Sequence, residues 1–174
     1  MRIVGRWRKP ERLAGLGVVV LLLAPAARLS GQLWERSTLD IAAGLVGSQG
    51  TGLGLHVSGA YSTAPSPSGL GIRFEGTFST WRLIRGLTPG DGTRVSSIGV
   101  NVVQTLSRGA VRPYVTAGAG GYLRPGEGLE LGVNAGAGLR FRLGPASLFT
   151  EARVHRLLAA DKQHLVPLTL GVRF

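Results

Sequence analysis

The sequence contains no cysteine, one methionine, three histidines and only nine acidic residues in 174 positions. Without cysteine there is no disulfide framework, no thiolate zinc site and no cysteine nucleophile, and three histidines leave little for a histidine metal cluster. Aromatic residues are scarce, at 6%, and no collagen-like glycine period is present, so the chain is not fibrous. No apolar run reaches the length of about 18–20 residues that a transmembrane helix requires. Nor does any stretch sustain a 3.6-residue period long enough for a convincing helix.

What is present is glycine, 28 residues, and positive charge, 20 Lys and Arg. With 44% hydrophobic residues, the composition fits a folded, turn-rich chain and excludes a disordered polyelectrolyte. Part of the formal charge of +11 sits at the start. Arg2, Arg6, Arg8, Lys9 and Arg12 precede an uncharged apolar run from Leu13 to Ala27, followed by small residues at Ala26, Ala27, Ser30 and Gly31, the pattern of a secretory signal peptide. Cleavage after Ala26 or after Gly31 fits. The leader has no Arg-Arg pair, which favours the general secretory route; a retained N-terminal anchor is the alternative. Residues 1–31 hold six positive charges and one negative, so their removal leaves +6. The remaining arginines are scattered singly rather than gathered in a stripe, and no nucleic-acid partner is expected. The predicted organisation is a signal peptide at 1–31, a lead-in at 32–37 and one domain at 38–174.

From Thr38 onward, eight short segments alternate apolar with small or charged residues: 38–46, 52–62, 69–83, 94–106, 111–123, 129–143, 147–156 and 165–174. Period two marks strands. In most segments one face is plain: Leu39, Ile41, Ala43 and Leu45 oppose Asp40, and Val133, Ala135, Ala137, Leu139 and Phe141 oppose Asn134, Arg140 and Arg142. The fifth segment is glycine-rich and its facing is ambiguous. Alternation alone does not separate a soluble sandwich from a membrane barrel, in which the apolar face meets lipid. Export, an even number of segments, lengths near the roughly 9–11 residues of a spanning strand and a terminal Phe174 favour the membrane. In lipid an open sheet would leave edge N–H and C=O groups unpaired, so the strands must close on themselves. The links at Thr63–Ser68, Ser107–Ala110 and Gly144–Ala146 fall on the periplasmic side, and Gly47–Thr51, Ile84–Thr93, Arg124–Gly128 and Leu157–His164 fall on the outer side. Trp34, Tyr61, Trp81, Tyr114, Tyr122, Phe141 and Phe174 stand mostly near segment ends, where interface girdles belong.

Several runs carry a resemblance: RPYVTAGAGGY at 112–122, VNAGAGLRFRLG at 133–144, LFTEARVHR at 148–156 and VPLTLGVRF at 166–174. With the leader, they resemble the small outer-membrane β-barrel proteins of Gram-negative-type bacteria, the OmpA/OmpX-like superfamily. The resemblance implies an all-β, eight-stranded antiparallel up-and-down barrel surrounded by outer-membrane lipid. It also implies that Leu168, Leu170, Val172 and Phe174 form the signal read by the barrel-assembly machinery, with Leu or Val where an aromatic often precedes the terminal Phe. Family members include adhesins, membrane stabilisers and lipid-modifying enzymes, so the fold leaves the role open. The reading adopted is a non-enzymatic structural or surface-interaction protein.

Two other readings attach to particular residues. His56-Val57-Ser58 looks like the His-x-Ser arrangement of outer-membrane lipid A deacylases, with Glu75 as the acid that would orient the imidazole; alternation, however, points His56 and Ser58 inward, away from lipid. A soluble lipocalin-like barrel would instead turn the apolar faces inward around an apolar ligand. The glycine runs at 118–121 and 136–138 complete no phosphate-loop pattern, and Pro89–Gly92 is a turn, since one carboxylate cannot supply a calcium loop. No cofactor or metal is expected.

The inward faces carry Asp40, Arg73, Glu75, Arg140, Arg142, Glu151, Arg153 and Arg173. Eight strands enclose a space only wide enough for side chains, so the barrel is expected to be plugged by its own charges. Either plausible hairpin register sets Arg140 directly or diagonally across from Glu151, and closure brings Asp40 near Arg173. Five arginines against three acids leave positive charge in excess.

Overall fold

A period of two puts every second side chain on the same face, and that face decides how the eight segments assemble. The computed structural model describes residues 37–48, 52–63, 65–81, 94–158 and 164–174; the leader, Trp34 and the Pro89–Gly92 turn lie outside them. The strands are β1 (Thr38–Ser48), β2 (Gly52–Ser62), β3 (Leu70–Thr80), β4 (Arg94–Thr105), β5 (Val111–Arg124), β6 (Gly128–Leu143), β7 (Ala146–Leu157) and β8 (His164–Arg173). Their ends lie within two residues of the predicted ones, except that the expected end of the third, Leu83, falls outside the described residues. Each strand pairs antiparallel with its sequence neighbours, and β1 pairs with β8 to close the barrel. No sheet edge is left to solvate, as a lipid setting requires.

Both ends of the described chain lie at one rim, where the β1–β8 seam is extended by Phe174 and Leu39 exchanging backbone hydrogen bonds of 2.9 and 3.2 Å. The shortest turn is at the same rim. Leu143 pairs with Ala146, so only Gly144 and Pro145 make the β6–β7 turn. Gly144 has φ 61°, which a type II′ hairpin requires at its first central position; Pro145, with φ fixed near −65°, suits the second.

The outward face is apolar on every strand. Ile41, Val57, Ile72, Val100, Val115, Val133, Val154 and Leu170 are all more than 40% exposed, an arrangement that would be costly in water over so continuous a surface. The inward face is polar and charged through the middle of the barrel. At the rim away from the chain ends it turns apolar, where Val46, Trp81, Val95, Tyr122, Leu157 and Leu165 pack into one buried cluster. An apolar ligand of the lipocalin kind would therefore meet charged walls along most of the lumen.

The facing of β5, ambiguous in the sequence, is settled by the same alternation. Tyr114, Thr116, Tyr122 and Arg124 are buried inward while Val115, Ala117, Ala119 and Leu123 are exposed outward. Tyr114 and Tyr122 thus correct the girdle expectation: both are about 98% buried or more because their hydroxyls find polar partners inside. Trp81 is buried in the apolar cluster as well. Phe141 and Phe174 remain on the outside.

Candidate functional site

Inward charges on four strands meet in one chain of alternating sign across the lumen. Arg173, on β8, faces Asp40 of β1 in register. Its Nε donates to Asp40 Oδ1 at 2.5 Å, and its Nη2 donates to Oδ2. Ser62 Oγ adds a bond to Oδ2 at 3.2 Å. On the other side of Asp40 stands Arg73 of β3, Nε 3.7 Å from Oδ2. Arg73 Nη1 in turn donates to Glu151 Oε2 of β7 at 2.8 Å. Arg153 bridges onward, from Glu151 Oε1 to Glu75 Oε2, and Asn101 Nδ2 completes Glu75 at 3.2 Å. Each carboxylate receives at least two donors. Charges this deeply buried would otherwise cost several kcal/mol each.

Glycine allows the side chains to reach one another. Tyr114 of β5, Gly138 of β6 and Glu151 of β7 lie in one row of the sheet. With no Cβ beneath it, the Tyr114 ring lies across Gly138 and its hydroxyl donates to Glu151 Oε2 at 2.9 Å. A Cβ at Gly138 would stand 2.5 Å from the ring and from the Thr150 carbonyl. Tyr122 lies over Gly132 in the same manner, where a Cβ would come within 2.6 Å of the ring, and its hydroxyl meets His155 Nδ1 at 2.7 Å. Trp81 over Gly54 and Phe149 over Gly171 repeat the arrangement. The glycines that take an aromatic ring, Gly54, Gly132, Gly138 and Gly171, lie on β2, β6 and β8; that inward glycine makes room for larger inward side chains was legible in the sequence, and which ring lies on which glycine was not.

The register sets Arg140 diagonally across from Glu151, one of the two expected placements, but the expected ion pair does not form, and Arg142 is not enclosed. Gly138, not Arg140, stands opposite Glu151, and Arg140 faces Phe149. Arg140 lies diagonal to Glu151, but the carboxylate is already filled by Arg73, Arg153 and Tyr114, so Arg140 makes no ion pair with it. The Arg140 guanidinium instead lies over the Tyr114 ring, 5.0 Å from its centre, and Arg73 lies 5.6 Å from the same centre. Arg142 is exposed rather than enclosed, because it sits one pair from the β6–β7 turn, opposite Ser147, where the lumen opens.

His56, Ser58 and Glu75 do not form a relay. His56 Nδ1 bonds Ser79 Oγ at 2.8 Å, while the Glu75 carboxylate is taken by Asn101 and Arg153. All three residues face the interior. The space among His56, Ser58, Glu75, Glu151, Arg153 and His155 measures about 10 Å³, far too little for an acyl chain.

No protein-family model matches the sequence, and no curated protein matches it. Solved structures do. Neisserial surface protein A (NspA) superposes with a TM-score of 0.65 at 14% identity, over 79% of this chain and 95% of that one. The outer membrane enzyme PagL superposes with a TM-score of 0.56 at 17% identity, over 78% of this chain and 98% of that one. The chain has the fold of the small outer-membrane eight-stranded β-barrels. That fold implies a membrane lipid environment for the apolar outer wall. At such identities the likeness carries the fold and not the role.

Proposed function

We propose that the chain is a bacterial outer-membrane β-barrel with a structural or surface-interaction role, neither an enzyme nor a conducting channel. The single observation that carries this reading is the combination of an unbroken apolar outer wall with a lumen filled by its own salt-bridged side chains. Residues 1–31 serve as the signal peptide and 38–174 as the barrel, with 32–37 between them. Lipid covers the outer wall. The barrel-assembly machinery is the partner in biogenesis, reading Leu168, Leu170, Val172 and Phe174; Leu168, Leu170 and Phe174 are outward and exposed on the seam strand, where an assembling partner has access to them.

Fractionation of a Gram-negative-type host expressing the full chain tests this. The protein is expected in the outer-membrane fraction, with migration on gels that changes on heating. Phe174→Asp is expected to lower the membrane level several-fold and raise periplasmic aggregate, whereas His164→Ala leaves it unchanged. Recovery of the unmodified chain as a soluble periplasmic protein would refute the location, and equal membrane levels for the two variants would refute the role of Phe174.

A further inference from the structure

At the rim that carries both chain ends, the lumen presents arginine without enough acid. Arg112 of β5 and Arg140 of β6 face each other directly in register, both on the inward face. Like charges placed opposite one another destabilise a sheet. Arg142 is the next inward-register position toward the turn and lies at the open mouth. Asp40, the acid of this region, is engaged by Arg173 and Ser62. Arg140 is only 7% exposed, and its Nε is enclosed with no hydrogen-bond acceptor. Among the described residues, no carboxylate pairs with it. Arg112 has only the Gly109 carbonyl, 3.1 Å from its Nε.

We infer that this mouth is a binding site for an oxyanion of the phosphate class, held by Arg140 with Arg112 and Arg142. A guanidinium is planar and presents paired N–H groups that match two oxygens of a phosphate. Three such groups at one opening, one of them buried and unpaired, give a doubly charged tetrahedral anion more donors than a single carboxylate uses. The anion also gives Arg140, whose guanidinium rests on the Tyr114 ring, a negatively charged partner. In the outer-membrane reading this rim is the periplasmic one, since short turns lie on that side. The chemistry of the site does not depend on that orientation. The phosphate is either free in solution or carried on a phospholipid headgroup, and one experiment separates these sources.

The mature barrel, folded in phosphate-free maltoside micelles, is titrated with inorganic phosphate while the arginine Nε–H resonances are followed by NMR. One saturable site is expected, with the largest shift at Arg140. Arg140→Gln should weaken binding at least tenfold, and Arg156→Gln, at an exposed outward position near the opposite rim, should leave it unchanged. If Arg140→Gln does not fold, Arg112→Gln and Arg142→Gln carry the test, each weakening binding about threefold. A parallel titration with phosphatidylglycerol identifies the source. Saturation by inorganic phosphate assigns a free anion, and saturation by the lipid alone, lost in the arginine variants, assigns a headgroup. Absence of a saturable shift with both probes, or equal affinity in the variants, overturns the inference.

Discussion

Glu151→Ala is expected to destabilise the folded barrel by about 3–5 kcal/mol, the range for removing one partner from a buried ion pair. The carboxylate is the hub at which Arg73, Arg153 and Tyr114 meet, and its loss leaves two buried guanidinium groups each one carboxylate short, Arg73 with Asp40 alone and Arg153 with Glu75 alone. Urea unfolding in lipid vesicles reads the change. The structure also specifies which second substitution compensates. In a double-mutant cycle, adding Arg73→Leu to Glu151→Leu should recover part of the loss, because one under-compensated buried charge goes with it. Adding Arg140→Leu should recover none, since Arg140 is not a partner of Glu151. A loss below about 1 kcal/mol for Glu151→Ala would place the variant among ordinary surface substitutions and contradict the hub.

Gly138→Ala is the second large effect, and it arises from a single added methyl. The new Cβ would stand 2.5 Å from both the Tyr114 ring and the Thr150 carbonyl. The ring must move, and its hydrogen bond to Glu151 is lost. Overpacking of this kind costs about 1–3 kcal/mol, and loss of a hydrogen bond to a charged group adds about 1.5–3 kcal/mol. Gly59→Ala is the matched control: Gly59 faces the outside over a shallow apolar groove, and a Cβ there meets nothing within 4 Å. Its unfolding midpoint should match that of the unmodified protein to within about 0.5 kcal/mol. Equal destabilisation by both would mean that strand propensity, not the Tyr114 contact, sets the cost.

Strand positions and facing are local properties of period two, and they were legible for seven of the eight segments. The Asp40–Arg173 contact also follows from sequence, because it needs only antiparallel closure of the first strand on the last. Partners across the lumen are another matter. Arg73 reaches Glu151 and Arg153 reaches Glu75, each over 78 residues of chain and between strands that are not neighbours. Such contacts depend on how strands stagger around the closed barrel, which no single hairpin register contains. For the same reason Arg140 drew attention as the partner of Glu151: the β6–β7 hairpin was visible, and the strands facing it were not. The facing of β5 was hidden because glycine occupies both faces of its middle, and the aromatics that decide it, Tyr114 and Tyr122, resemble girdle residues by their position near strand ends. What places them inside is a glycine on the adjacent strand and a polar partner one strand beyond.

Eight strands enclose a lumen filled by their own side chains. A salt-bridged chain runs from Arg173 to Glu75, and the apolar cluster around Trp81 and Leu157 closes the rim beyond it. Planar-bilayer recording of the folded, unmodified protein tests this most directly. The expected record shows no stable open level at any applied voltage, and a steady, reproducible conductance would contradict the sealed lumen.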